Sequence, residues 1–286
     1  SIIKSLPRML LFTLTLEDVS TILISSIFVK DTPIIYITYY RQFFAYNYIM
    51  DMLLVIAIII ILLIILLMIG ENDPPGFYET KEIYPELLSM ENPETLATIV
   101  EELNQITNPA NKDKWKEWPE KKLWGSKKEH HWSVFPFYGF ESWTTCASLC
   151  PKTTELLRKI TGLRTAAFSK LGAGTVLDKH QGWGNLSNHV LRNHLLLTKH
   201  DVGKCTITVC NKTQEHEYGK WLTFDDSLPH SAANNSKQDR YVLLIDIDRP
   251  SSIKKGNSKV PMSDEVLKFA EAMQITVPGQ ETQANV

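Results

Sequence analysis

The stretch His189-Val190-Leu191-Arg192-Asn193-His194-Leu195-Leu196-Leu197 holds the pattern on which the fold of this chain turns. Read as a β-strand, it puts Val190, Arg192, His194 and Leu196 on one face, because side chains alternate across a strand. An arginine and a histidine on an aliphatic face cost free energy unless they meet an anion or polar partners. A solvated face would tolerate them too, but the flanking aliphatic residues argue for burial. Similar runs follow at 164–171, 204–210, 219–224 and 241–248. Short, closely spaced strands separated by turn residues predict a mainly β domain, a sandwich or barrel. Helical spacing of apolar residues predicts helices over 93–106, 153–160 and 264–273.

The chain has 286 residues, 44% of them hydrophobic, and a formal net charge of −2. That length suits one sizeable core with appendages. The near-balance of charge gives no electrostatic footprint for a nucleic-acid partner, and none is expected. The average conceals a strong asymmetry. Residues 52–69 read MLLVIAIIIILLIILLMI, without charge or proline. At 1.5 Å per residue they span about 27 Å, close to a bilayer's hydrocarbon core. Because the run is apolar on every face, a transmembrane helix is expected rather than an amphipathic core helix. Residues 1–51 form an apolar leader with no assignment, and 70–131 a linker and helical segment. Residues 132–250 form the main domain, and 251–286 a helix and tail. The flanks of the span offer Arg41 on one side and Lys81 on the other, so charge does not set its orientation.

Cys205 and Cys210 sit at the ends of one predicted strand, about 16 Å apart at 3.3 Å per residue, too far for a disulfide. Cys146 and Cys150 can approach if they lie one helical turn apart. Glycosylation sequons occur at Asn185, Asn211 and Asn234. All eight histidines lie beyond residue 129. His180 opens the turn His180-Gln181-Gly182-Trp183-Gly184. His230 closes Phe224-Asp225-Asp226-Ser227-Leu228-Pro229-His230. Neutral imidazole is a common iron or zinc ligand, and two histidines on loops at a barrel mouth can share one metal. Arg240 opens a strand and shares its face with Val242 and Leu244. A second inward arginine again points to an anionic ligand, since arginine grips carboxylates bidentately. Of the two aspartates before His230, one is expected to cap the turn and the other to face solvent. His189 is expected to be structural; His130, His131, His200 and His216 lie in polar segments and are expected to be solvated.

Taken in order, Ser169, His180, Gly182, Arg192, His194, His230 and Arg240 resemble the aspartyl/asparaginyl β-hydroxylase family in sequence and approximate spacing. HVLRNHLLL is similar to the family's R-x-H strand and FDDSLPH to its distal iron-histidine motif. Trp132-Ser133-Val134-Phe135 and Pro151-Lys152-Thr153 are similar to two upstream segments. The resemblance covers about residues 132–250. It implies a double-stranded β-helix (jelly-roll or cupin-like) with flanking helices, preceded by the transmembrane helix. It also implies an Fe(II)- and 2-oxoglutarate-dependent dioxygenase. His180 and His230 would ligate the iron. Arg240 would pair with the distal carboxylate of 2-oxoglutarate, and Trp132, Ser169, Arg192 and His194 would contact the cosubstrate. The implied substrate is an Asp or Asn side chain in a protein or peptide, with a lipid acyl chain as the alternative and a catalytically silent binding domain as a third. The implied location is a single-pass protein of the endoplasmic reticulum with its catalytic domain in the lumen. Where related oxygenases carry a carboxylate, two residues after the first histidine, this chain has Gly182. An open position for water is expected there, with Gly182→Asp accommodated.

Overall fold

The computed structural model describes residues 74–125, 127–139 and 141–273 in full. It describes 10–14, 22–29, 32–35 and 38–69 at the level of secondary structure, with side chains for 48–64. The chain divides into two units, Ser1–Asp73 and Pro74–Val286.

In the first unit, Leu10–Leu14, Ile22–Val29 and Thr32–Ile35 form an antiparallel three-stranded sheet, followed by helix α1, Thr38–Ile69. The isoleucines and leucines described in α1 are exposed on every side, from Ile49 to Ile64. Among the described residues no helix is long and apolar enough to cross a membrane. The side chains described in α1 end at 64, so the span expected over 52–69 lies partly outside the described residues.

The second unit is built on nine main strands. These are β1 (Trp132–Gly139), β2 (Leu163–Leu171), β3 (Val176–His180), β4 (Val190–Leu196), β5 (Cys205–Val209), β6 (Lys212–Glu215), β7 (Trp221–Phe224), β8 (His230–Asn234) and β9 (Arg240–Asp248). They pair antiparallel in two sheets. The larger runs β7-β4-β9-β2-β1, extended at its ends by Phe77–Tyr78 and Lys116–Glu117; the smaller runs β6-β5-β8-β3. From β2 to β9 the chain crosses between the sheets at every step except the β5–β6 hairpin. That alternation, with β2, β4, β7 and β9 in the larger sheet and β3, β5, β6 and β8 in the smaller, is a double-stranded β-helix, and it satisfies strand edges by winding rather than by one long meander. The strands predicted at 164–171, 204–210, 219–224 and 241–248 are present within a residue or two. β3, β6 and β8 had no such signal. β6 is exposed along its whole length, and β3 carries Asp178 and Lys179.

The alternation in β4 separates two cores. Leu191 and Leu195 pack outward with Phe135, Phe137, Phe168, Leu243 and Ile245. Onto this face lies α2, Pro93–Ile106, whose Leu96, Ile99, Leu103 and Ile106 repeat at helical spacing. Asn92 caps α2 by accepting from the Glu94 N–H at 3.0 Å. Glu102 of α2 accepts from the Lys152 and Thr153 N–H groups at 2.9 and 2.8 Å, which caps α3, Pro151–Arg158. Between the sheets a second core gathers Trp132, Leu171, Leu177, Ile207, Leu222, Phe224 and Ala232. Beside that inner core are Arg192 and His194, from the other face of β4. All four cysteines are free.

Candidate active site

His180 ends β3 and His230 begins β8, and the two are direct partners across the ladder. Their ring centroids lie 4.2 Å apart. Each ring is fixed in the same way. Nδ1 of His180 lies 2.7 Å from the Asp178 carbonyl, and Nδ1 of His230 lies 2.8 Å from the Leu228 carbonyl. A carbonyl only accepts, so each Nδ1 carries a proton, and Nε2 is the ring nitrogen left free of that bond. Burial first, and then the neighbouring His180, holds the His230 pKa well below the ordinary histidine value, so this ring is neutral.

The next neighbour corrects the sequence reading. Asp226 is 1% exposed and does not face solvent. Its Oδ1 lies 3.3 Å from Nε2 of His230 and accepts from Nη1 of Arg192 at 2.5 Å. Asp225 does cap the turn: its Oδ1 accepts from the Ser227 N–H at 2.9 Å and from Nη2 of Arg249 at 2.7 Å. Gly182 sits directly against Asp226. A Cβ at 182 would overlap Oδ2 of Asp226 and come within 2.7 Å of Cβ of Ser187. The position after the first histidine is therefore filled by a carboxylate from the distal motif. Gly182→Asp is not accommodated without displacing Asp226, and Gly182→Ala already crowds it.

Arg192 is saturated. It donates to both oxygens of Asp246, from Nε at 2.8 Å and from Nη2 at 3.0 Å, and to Asp226 through Nη1. Asp246 was not singled out in the sequence, although strand alternation marks it. Asp246 shares the inward face of β9 with Arg240, Val242 and Leu244, and lies opposite Arg192 in the ladder. Arg240 is the reverse case. It is 2% exposed, and neither Nε nor Nη1 has a hydrogen-bond partner among the described residues. Burial without a nearby anion pulls its pKa down to about 10. A cavity of about 30 Å³ lies beside it, lined by Trp132, Ser169, His180, His194 and His230 among others. Ser169 accepts from Nε1 of Trp132 at 3.0 Å, which leaves its own O–H to donate. Nε2 of His194 is buried and has no partner among the described residues. The five residues expected to contact the cosubstrate, Trp132, Ser169, Arg192, His194 and Arg240, thus line one space with the two histidines.

A second, larger cavity of about 540 Å³ shares Trp132, His180, Arg192 and Leu244 with the first. Its walls are mostly apolar: Trp118, Trp183, Val134, Pro136, Val266 and Phe269. Trp118 is sandwiched by Trp132 at 4.7 Å and Trp183 at 5.8 Å, and meets Phe269 of the helix α4, Asp264–Ala272, at 5.7 Å. Lys122, Lys179 and Gln181 stand among the few polar groups of its lining. No motif announced this wall, because it joins residues from distant segments.

Three further readings change. His216 and His130 are buried, not solvated, at 5% and 6% exposure. His189 lies before β4 and is exposed. Asn234 is fully buried, and its Nδ2 donates to the carbonyls of Leu171, Gly172 and Gln238, so it cannot carry a glycan; Asn211 is exposed.

A double-stranded β-helix with a fixed histidine pair, a buried unpaired arginine and an adjoining apolar cavity defines a class of ligand-binding β proteins. The particular family follows from comparison with known proteins. Residues 94–250, more than half of the chain, match the aspartyl/asparaginyl beta-hydroxylase family, and the chain belongs to it. It is 39% identical over 102 residues to an ornithine lipid ester-linked acyl 2-hydroxylase from Rhizobium tropici, covering 35% of each chain. It is 30% identical over 142 residues to the aspartyl/asparaginyl beta-hydroxylases of mouse and human, covering 47% of this chain and 18% of theirs. The chain thus spans about a third of the lipid hydroxylase and under a fifth of the mammalian proteins. Among solved structures, a 2OG-Fe(II) oxygenase family oxidoreductase from Burkholderia pseudomallei aligns with TM-score 0.37 and 11% identity, covering 55% of this chain and 82% of that one. A Pseudomonas putida prolyl-4-hydroxylase aligns with TM-score 0.35 and 12% identity, covering 55% and 88%.

Proposed function

We propose that this chain is an Fe(II)- and 2-oxoglutarate-dependent oxygenase that hydroxylates an unactivated carbon. The observation that carries the reading is Arg240, a buried guanidinium with two unpartnered donor atoms facing the space that His180 and His230 also line. A buried cation in that state calls for an anion, and a carboxylate matches its planar fork.

The residues present fit both groups. Nε2 of His230 and Oδ1 of Asp226 are acceptors facing each other at 3.3 Å, an arrangement that a cation between them relieves. Nδ1 of each histidine is already held by a carbonyl, as metal-ligating histidines require. Among the described residues no group of three or more His, Cys, Asp or Glu side chains is arranged to hold a metal. His180 and His230 would hold the iron, with the Asp226 carboxylate beside them, 3.3 Å from Nε2 of His230. When bound, iron and 2-oxoglutarate supply the oxidation, with dioxygen divided between succinate and the hydroxylated product. The chain's own residues do the rest. Arg240 and the Ser169 hydroxyl hold one end of the cosubstrate and His194 faces the other. Arg192 holds Asp226 in place through Nη1, and the aromatic wall excludes water. The space beside Arg240 is narrow, so a five-carbon diacid must widen it or extend through the shared wall into the larger cavity.

The family's substrate, an Asp or Asn side chain in a protein, is one reading. The larger cavity favours the other, a lipid acyl chain. A volume of about 540 Å³ is within the range of small-molecule sites. Its apolar lining gains by covering methylenes, and its own carboxylates, Glu120, Asp226 and Asp246, disfavour a substrate carboxylate despite Lys122 and Lys179. The reading includes a membrane tether of the endoplasmic reticulum, with the catalytic domain in the lumen. It is supported by the apolar side chains exposed all round α1. Glycan addition at Asn211 in microsomes is the expected outcome; complete digestion of the domain by added protease in sealed vesicles would place it in the cytosol.

The deciding experiment follows succinate release by the iron-loaded full chain with Asp- and Asn-containing peptides and with acyl lipids. His180→Ala and His230→Ala are each expected to abolish iron binding and turnover. Zinc retention with no iron-dependent succinate from any substrate would defeat the proposal.

A further inference from the structure

Behind the space beside Arg240, His194 and His216 form a hydrogen-bonded imidazole pair. Nδ1 of His194 lies 3.1 Å from Nε2 of His216, with the rings stacked at 13°. Both side chains are buried, at 5% exposure each. His216 follows β6, and its backbone N–H donates to the Cys205 carbonyl at 2.8 Å, which fixes the segment that carries it. Burial first, with His216 and Arg240 adding to it, keeps His194 well below the ordinary histidine pKa; burial and Arg240 do the same for His216. Each ring therefore holds one proton, and a single proton lies between them.

That proton has two positions, with opposite consequences. If His194 donates from Nδ1, its Nε2 presents a lone pair to the cavity, and His216 buries an unpartnered Nδ1–H. If His216 donates from Nε2, His194 presents Nε2–H to the cavity, and His216 buries only a lone pair. Each arrangement leaves one N–H without a protein acceptor, but His194 lines the cavity, where water or a ligand can accept, and His216 lines neither cavity. A lone pair of His194 facing a bound carboxylate would also be repulsive, so both terms favour the second arrangement. Nε2 of His194 and Nδ1 of His216 are the two atoms of the pair left without partners, as this scheme requires.

We infer that His216 is a positioning residue that donates Nε2–H to Nδ1 of His194 and so makes His194 a fixed Nε2–H donor to a carboxylate of the cosubstrate. This rests on the 2-oxoglutarate reading above. His216 touches no substrate; it sets which nitrogen of His194 carries the proton, before the ligand arrives.

The test uses the full chain in detergent, loaded with Mn(II) and without dioxygen, and titrates 2-oxoglutarate by calorimetry. His216→Leu removes the donor; His216→Gln keeps an N–H in its place. A hydrogen bond to a charged group predicts about tenfold to a hundredfold weaker binding for His216→Leu. His216→Gln is expected to recover most of it. A second readout is independent of turnover: ¹⁵N NMR of histidine-labelled protein, with His194→Gln for assignment, should show wild-type His194 protonated at Nε2 before any ligand is added. Protonation at Nδ1 in wild type overturns the inference, as does equal 2-oxoglutarate affinity in wild type and His216→Leu. Wild type that binds no 2-oxoglutarate overturns the cosubstrate reading and with it the acceptor proposed here. The NMR pattern separates that failure from a failure of the histidine pair itself.

Discussion

Arg192 and Arg240 enter the space between the sheets from neighbouring strands, and their surroundings are opposite. Arg192 meets two carboxylates, Asp226 and Asp246. Burial opposes its charge, but the two carboxylates more than offset that and keep its pKa above the ordinary arginine value. Arg240 meets none, and burial lowers its pKa to about 10. Both are inward arginines on aliphatic strands, and the sequence treats them alike. The structure separates them: one is part of the scaffold that holds Asp226 near His230, and the other is a buried charge whose Nε and Nη1 have no partner among the described residues. A buried charge with its partner present reports on architecture; one without a partner reports on a ligand.

Breaking the paired arginine should have the larger cost to the fold. Arg192→Met leaves Asp226 and Asp246 buried without a cation, a loss expected at about 3–5 kcal/mol. Urea unfolding of the metal-free protein measures it. A loss near zero would mean that the carboxylates find other partners, and that Arg192 is no more structural than Arg240.

The unpaired arginine should cost binding instead. Arg240→Ala is expected to raise the KM for 2-oxoglutarate by about thirtyfold to several thousandfold, from about 2–5 kcal/mol for one partner of a desolvated charge pair. Arg240→Lys should recover only part of it, because an ammonium lacks the planar fork. An unchanged KM in both variants would reassign the residue. In the same series Arg240→Met should leave stability unchanged or raise it by roughly 1–3 kcal/mol, since an apolar side chain replaces an uncompensated charge. A large destabilisation would show that Arg240 has a structural partner after all.

The parts of the site that were legible in the sequence are those where a residue type is costly in its local setting. Arg192, His194 and Arg240 stand on aliphatic strands, so alternation alone marked them as inward. His180 and His230 stood in turn motifs, and the family resemblance gave them their order. What was missed depends on pairing between distant segments. One of Asp225 and Asp226 is expected to face solvent, as turn aspartates usually do, yet both are buried; Gly182, in the loop after β3, leaves room for Asp226. His216 sits in a polar run, and only the ladder folds that run over His194. The aromatic wall joins Trp118, Trp183 and Phe269 from three separate segments, and no local pattern contains it. β3, β6 and β8 went unread as strands because the crossing path exposes β6 and makes β3 charged.

The smallest expected effect tests whether the neutral histidines belong to Arg240's side of the site. His194 and His216 have folded pKa values below the unfolded value of about 6.5. Between those values the unfolded chain binds more protons than the folded one, so acid favours unfolding. Their contribution to stability is complete above about pH 6.5 and is lost as pH falls through the window below it. Each histidine adds a slope of at most about 1.4 kcal/mol per pH unit. Urea midpoints of the metal-free protein at pH 7.5, 6.5 and 5.5 should fall accordingly. His216→Gln should remove one histidine's share. Arg240→Met should also flatten the fall, since it deletes a positive charge that disfavours protonation of both rings. If Arg240→Met leaves the pH dependence untouched while His216→Gln reduces it, burial alone keeps the rings neutral, and the contrast between the two arginines does not extend to the histidines around them.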